Sequence, residues 1–515
     1  MSITSLYFFI FLIVTTLFYY ICPKKYRWIS LLTFSATFFL LISWAVLYYF
    51  IAGISVAYIG ARLIQEKVSS NKSKQVVLVS CIAIEIALLF VLKYINIIPH
   101  TLNGFGELFN INLHFATINL IAPIGISYYT LSLWGYLVDV YRGTVEAEKN
   151  YFRLVLFACY YPCLVSGPFV RYPEMENELF EAHGLDWDNI FTGFHRIVYG
   201  LLKKVFVADT LASFVNVIFS DTARYSGPMI FFGVLLYAIQ IYCDFSGCMD
   251  IVIGASKLYG VKLPENFESP FFSRNLSEFW RRWHITLGLW GRDYIMYPLL
   301  KSEKFQAIGK KAKKRFGKKL GKKIPLILSI FILWLFIGIW HGASYKYIFA
   351  AGILPWIYFS FSELFSDGFK ALNEKLHFKT DSFLFHLFQS ARTLFFMLII
   401  WLFALAPSLM QSGSVLKNLV SMPSTQVVKS FLHDEIIGDL GRREIVLKYG
   451  LLVLSVLGVL IVDYLKYKEI NVAERFNKRS VLFRYAVLFT MIVTIVCFGV
   501  YGPGYNPADF IYGGF

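Results

Sequence analysis

Charge is scarce in this 515-residue chain. Asp, Glu, Lys and Arg make up 16% of it, while 57% is hydrophobic and 18% aromatic; soluble domains carry about 25% charged residues. With a mean hydropathy of +0.58, that balance excludes a soluble globular protein and predicts a polytopic membrane protein. Cysteine chemistry is also missing. None of the seven cysteines (22, 81, 159, 163, 243, 248, 497) forms a Cys-x-x-Cys pair, and all lie in or beside apolar segments, so neither a disulfide framework nor a metal site is expected. In lipid a free cysteine packs as a small apolar residue. There is no Walker P-loop, no G-x-G-x-x-G, no G-x-S-x-G and no H-E-x-x-H. Nucleotide hydrolysis, hydride transfer, serine hydrolysis and zinc proteolysis therefore have no visible apparatus. The first 22 residues lack a positive n-region, and Lys24, Lys25 and Arg27 follow the opening apolar run. No cleavable signal peptide is expected, and the positive-inside rule places the N-terminus outside.

Acids are outnumbered by bases, 33 to 49, for a formal charge of +16. The excess sits in short loops, above all Lys301 to Lys323, which holds ten Lys and one Arg against one Glu. Clusters of this kind mark the cytoplasmic side and attract anionic lipid headgroups, so the basic charge points to membrane lipid and not to nucleic acid.

The apolar run from Trp28 to Arg62 is too long for one crossing and basic at both flanks, which predicts a hairpin turning near Ser43 and Trp44. Residues 76–98 then run outward, 100–117 carry no Lys or Arg and form an external loop, and 118–141 return inward. The next stretch is broken by Pro162, Gly167 and Pro168 and reads as re-entrant. Lys203 and Lys204 interrupt a long helical pattern, where snorkelling to the interface or facing an aqueous cavity is expected. Gln240, Asp244, Ser246 and Asp250 lie deep in residues 228–260 and should face protein interior or water. Residues 325–363 form a second hairpin-length run, and 383–409, 446–465 and 481–501 supply further crossings, leaving the tail outside. The prediction is an all-α membrane fold of ten to twelve transmembrane helices with re-entrant and amphipathic interfacial elements. It divides into N-terminal transmembrane helices (1–118), a catalytic core (119–365) and a C-terminal transmembrane extension (366–515).

Pro264 to Pro298 stands apart, with four Arg, four acids, three Trp and His284 between two oily regions. At helical spacing from Ser277, Trp280, Trp283, His284, Leu287 and Trp290 share a face, which predicts an amphipathic helix lying in the membrane plane. His341 sits within Phe331 to Trp356, a depth at which an ionisable residue is a functional hypothesis by default. A neutral imidazole screened from bulk water can accept a proton from an alcohol attacking an activated carbonyl. His341, the deeper of the two, is the better base candidate. His284, among Trp and Arg, suits positioning an acyl donor or stabilising an oxyanion.

The run P-E-N-F-E-S-P-F-F-S-R-N-L-S-E-F-W-R-R-W-H-I-T-L-G-L-W-G-R-D-Y, followed by G-I-W-H-G-A, closely resembles the signature of the membrane-bound O-acyltransferase family. The similarity is to its bacterial branch of alginate and peptidoglycan O-acetyltransferase subunits and teichoic acid D-alanyl transferases. Ser166-Gly167-Pro168, Tyr242 to Ser246 and Lys203-Lys204 extend it across roughly residues 120 to 345. The resemblance implies a helical fold around a central tunnel, an acyl thioester donor such as acetyl-CoA on the cytoplasmic side and no bound cofactor. It implies His341 as catalytic base and His284 as the motif histidine. Asn266, Trp280, Arg281, Arg282 and Trp283, then Arg292, Asp293 and Trp340, together with Asp244 and Ser246, become substrate-binding candidates. The family pattern is departed from at Gly288, where Ser is common, and at Leu300, where Gly is common; neither change removes a titratable group. The ending F-I-Y-G-G-F resembles an aromatic motif in which Tyr512 would accept the acyl group in transit.

Three functions follow as expectations. The first is transfer of an acyl group, acetyl above all, from a cytoplasmic thioester across the membrane to an extracytoplasmic polysaccharide, through an SGNH-hydrolase-like acetyltransferase partner. The second is D-alanyl transfer to teichoic acid from a carrier protein. The third is a proton-coupled lipid or polysaccharide transporter.

Overall fold

The computed structural model describes residues 2–108, 111, 114–118, 125–342, 344–377, 379–437 and 441–502. Among them the regular structure is helical, and the lone extended pairing is an antiparallel bridge between Phe267 and Trp283. Among the described residues, eight helical stretches are long and apolar enough to cross a membrane. The first of these, Lys24–Lys67, has two arms, Arg27–Ser43 and Leu47–Arg62, joined by a tight turn at Trp44–Val46. The rings of Phe39 and Phe50 stack at 4.4 Å, whereas eleven residues of unbroken helix would hold them about 16 Å apart. The chain therefore reverses where the sequence places its hairpin. With the two arms counted separately and the shorter helix Leu6–Ile21 added, ten apolar helices result, the lower end of the expectation.

The second hairpin consists of Glu303–His341 and a partner arm from Tyr345 to Leu364. A Cβ on Gly338 would stand 3.0 Å from the Cα of Gly352, so the arms touch through backbone and fix the apex that carries His341. The basic run is not a loop. Ser302 caps the Glu303 helix by accepting from Phe305 N–H, and a sequence rich in Lys, a good helix former, sustains it. It reverses at Gly317 (φ 79°), leaving its lysines exposed on a helical fork.

The core is built on Trp187–Leu201 packed against Pro228–Lys257. Gly193 faces Gly254, and Gly200 faces Gly247; a Cβ on Gly200 would lie 2.5 Å from the Gly247 carbonyl oxygen. Small residues at a seven-residue spacing on both helices permit this approach. It brings Lys203 Nζ to 2.5 Å from Asp250 and 2.9 Å from Ser246 Oγ, and Lys204 Nζ to 2.7 Å from Asp244 and 2.6 Å from Asp209. Both lysines are buried, 4% and 2% exposed. Snorkelling is thus corrected: carboxylates two turns apart on the neighbouring helix neutralise the ammonium groups in place.

Candidate active site

The amphipathic helix expected from Ser277 is two short helices, Leu276–Arg282 and Ile285–Gly291, meeting at His284 in a left-handed conformation (φ 49°, ψ 52°). That conformation is uncommon for a residue other than glycine, and Asn266 enforces it. Ile285 N–H donates to the Asn266 backbone oxygen at 3.0 Å and Glu268 N–H to that of Arg282 at 2.9 Å, zipping the 266–268 stretch onto the break. Asn266 Oδ1 then accepts from Thr286 N–H (3.1 Å), the Thr286 hydroxyl (2.9 Å) and His284 Nδ1 (3.2 Å). The Thr286 hydroxyl in turn accepts from Phe169 N–H at 2.9 Å. A backbone N–H can only donate, so the Asn266 atom facing Thr286 is its carbonyl oxygen, and an acceptor there requires the proton on Nδ1 of His284. Nε2 is then the lone-pair nitrogen. The interfacial placement is corrected as well, because Asn266, Trp283, His284 and Trp290 are all buried in the protein.

Aromatic rings enclose this imidazole. Phe245 meets it edge-on at 4.8 Å, Phe169 stacks at 5.8 Å and Trp340 lies at 6.3 Å. The Trp340 ring is 4.9 Å from that of His341. Two histidines 57 positions apart thus converge on one tryptophan, His284 held by a buried hydrogen-bond network and His341 partly open at its hairpin apex.

The other candidates divide. Asn266 and Trp340 belong to the histidine site, Asn266 as the group that orients His284. Asp244 and Ser246 lie in the lysine ion core, in contact with Lys204 and Lys203. Trp283 stacks on Phe279, and Trp280 meets Trp334 edge-on at 4.7 Å. Arg282 pairs with Glu278 while covering the Tyr467 ring; Trp280, Trp283 and Arg282 thus pack the motif helices in place, while Arg281 is exposed. Asp293 accepts from Arg292 at 2.8 Å and from Arg171, and its backbone oxygen from Arg142 at 2.9 Å. Burial works to raise the Asp293 carboxyl, but the Arg292 and Arg171 hydrogen bonds outweigh it and hold it below the usual carboxylate range. Tyr512 lies outside the described residues. Phe169, Phe245, Arg142 and Arg171 went unforeseen, since no spacing links them to either histidine.

Asn266→Ala is expected to lower acyl-transfer turnover by about 10²-fold, the scale of an ångström-level misplacement at a reacting group. Single-turnover kinetics on the variant, compared with its thermal midpoint, checks this.

A multi-pass helical membrane protein that closes a pair of imidazoles around a tryptophan is the class that fold and site define. Residues 146–311 match the model of the membrane-bound O-acyltransferase family. Probable alginate O-acetylases of Pseudomonas aeruginosa and Pseudomonas putida are each 31% identical to the chain, over 67% of its length and 62% and 67% of theirs. The peptidoglycan O-acetyltransferase of Helicobacter pylori is 30% identical over 60% of this chain and 59% of its own. The chain belongs to the membrane-bound O-acyltransferase family.

Proposed function

We propose that the protein moves an acyl group, acetyl above all, from a cytoplasmic thioester such as acetyl-CoA across the membrane for O-acetylation of an extracytoplasmic polysaccharide. The convergence of His284 and His341 on Trp340 carries this reading. From Lys323, at the basic fork, to His341 is 18 residues of helix, about 27 Å, close to the hydrocarbon thickness of a bilayer. A cytoplasmic fork thus puts His341 toward the outer side, where an acceptor hydroxyl arrives. His341 takes the hydroxyl proton as the oxygen attacks the thioester carbonyl. His284, with its acceptor nitrogen Nε2, relays that proton to the leaving thiolate, so none is consumed.

The relatives named as acetylases favour acetyl over D-alanyl transfer. The acylated group passes outside to an SGNH-hydrolase-like acetyltransferase, with Tyr512 as the candidate relay; full acyl export by Tyr512→Phe would remove that relay. Purified protein in lipid is expected to release thiol from acetyl-CoA, with His341→Ala as control. D-alanyl transfer predicts thiol release only from a charged carrier protein, and a transporter predicts substrate movement with no thioester cleaved; either outcome overturns the reading.

A further inference from the structure

Lys93 stands on the apolar stretch Asn71–Tyr94, in a wide turn at Phe90–Tyr94 of the i to i+5 kind, a form common at functional sites. The turn brings consecutive side chains to one atom. The Lys93 ammonium donates to the Trp340 carbonyl oxygen at 3.2 Å, and the Tyr94 hydroxyl donates to the same oxygen at 3.0 Å. Ser127 Oγ is the second acceptor for Lys93, at 2.9 Å. Nζ lies 5.7 Å from the centre of the Trp340 ring, the ring against which both imidazoles pack.

This cation differs from those of the ion core. Arg196, Lys203 and Lys204 are each matched by carboxylates, whereas among the described residues Lys93 meets two neutral oxygens and no acid. The Trp340 carbonyl closes a helix, whose terminus contributes only a partial negative charge. An ammonium carries three N–H bonds, and Ser127 and Trp340 take two. Cations at membrane depth are costly and mark functional sites. The reaction also needs a donor that His284 does not supply, because its Nε2 is an acceptor in the tautomer that Asn266 selects.

We infer that Lys93 is a catalytic residue of the acyl-transfer site, its third N–H meeting the thioester carbonyl oxygen as hydroxyl attack turns it into an oxyanion. The inference rests on the acyl-transfer reading above. As the hydroxyl oxygen forms the new C–O bond, the carbonyl π pair moves onto the oxygen facing Lys93 and the hydroxyl proton goes to His341. When that pair re-forms the carbonyl, the C–S bond breaks and the thiolate takes the proton. Positive charge held in place for the oxyanion, in a site shielded from water, lowers the barrier without reorganisation.

The test compares Lys93→Met and Lys93→Arg with wild type in the same lipid, reading kcat and KM for acetyl-CoA thiol release and the thermal midpoint. Lys346→Met is the control, since Lys346 also lacks an acid among the described residues but donates to Ala406 O at 3.2 Å, at the end of another helix. Lys93→Met is expected to lose about 10²- to 10³-fold in kcat, with KM and midpoint unchanged. Lys93→Arg should recover part of that loss, and Lys346→Met should keep wild-type kcat. The inference falls if Lys93→Met retains wild-type kcat, if its loss only tracks the folded fraction, or if Lys93→Arg is no better than Lys93→Met. Wild-type protein that releases no thiol would instead sink the acyl-transfer reading itself.

Discussion

Replacing His341 by alanine is expected to slow acyl transfer by about 10²- to 10⁴-fold, the usual contribution of a positioned general base. The protein should fold normally. His341 is partly open at the apex of its hairpin, and the apex is held by other groups: the Gly338–Gly352 contact and the hydrogen bond from Tyr94 to the Trp340 carbonyl. Thiol release measured beside a thermal midpoint separates chemistry from folding. A His341→Ala protein of normal stability that turns over at the wild-type rate would remove the base from the scheme. His284→Ala is a less clean variant, because Nδ1 is tied to Asn266 inside a buried network and its loss perturbs the break that shapes the site.

The other large effect is on stability. Asp250→Leu leaves the Lys203 ammonium, 4% exposed, with Ser246 Oγ as its remaining hydrogen-bond acceptor. Removing one partner of a buried ion pair costs about 3–5 kcal/mol, whereas replacing both by apolar groups is often neutral. Asp250→Leu should therefore lower the folded yield in detergent sharply, and Lys203→Met combined with Asp250→Leu should restore most of it. Arg196, which also contacts Asp250, keeps Glu265 at 2.6 Å in both variants. If the double variant is as unstable as the single one, the pair is not what makes this region hold together.

Hydropathy was enough to place the first turn near Ser43 and Trp44 and to mark 325–363 as hairpin-length, because a run too long for one crossing must turn back, but it did not put the second turn at His341. It was not enough to find the break at His284. The apolar spacing from Trp280 to Trp290 continues through that residue as if the helix did, and the break is imposed by Asn266, which is remote by helical spacing. Lys203 and Lys204 posed the same difficulty. Their partners lie on another helix, and the clue that the helices meet closely was a shared spacing, Gly193 and Gly200 on one, Gly247 and Gly254 on the other. Lys93 did interrupt the apolar run 76–98, a signal left unread, but its lack of a carboxylate partner is visible only once neighbours are known.

The matching of Lys203 and Lys204 with Asp244 and Asp250 sets an order on biogenesis. Lys204 has Asp209 five residues on in its own segment, but Lys203 leaves the ribosome 47 residues ahead of Asp250, so the nascent segment reaches the translocon with one unmatched ammonium group, disfavoured at mid-membrane by about 2.5–3.5 kcal/mol. Insertion of this segment is therefore expected to depend on the helix that carries Asp250, a dependence that truncating the nascent chain before residue 228 would expose.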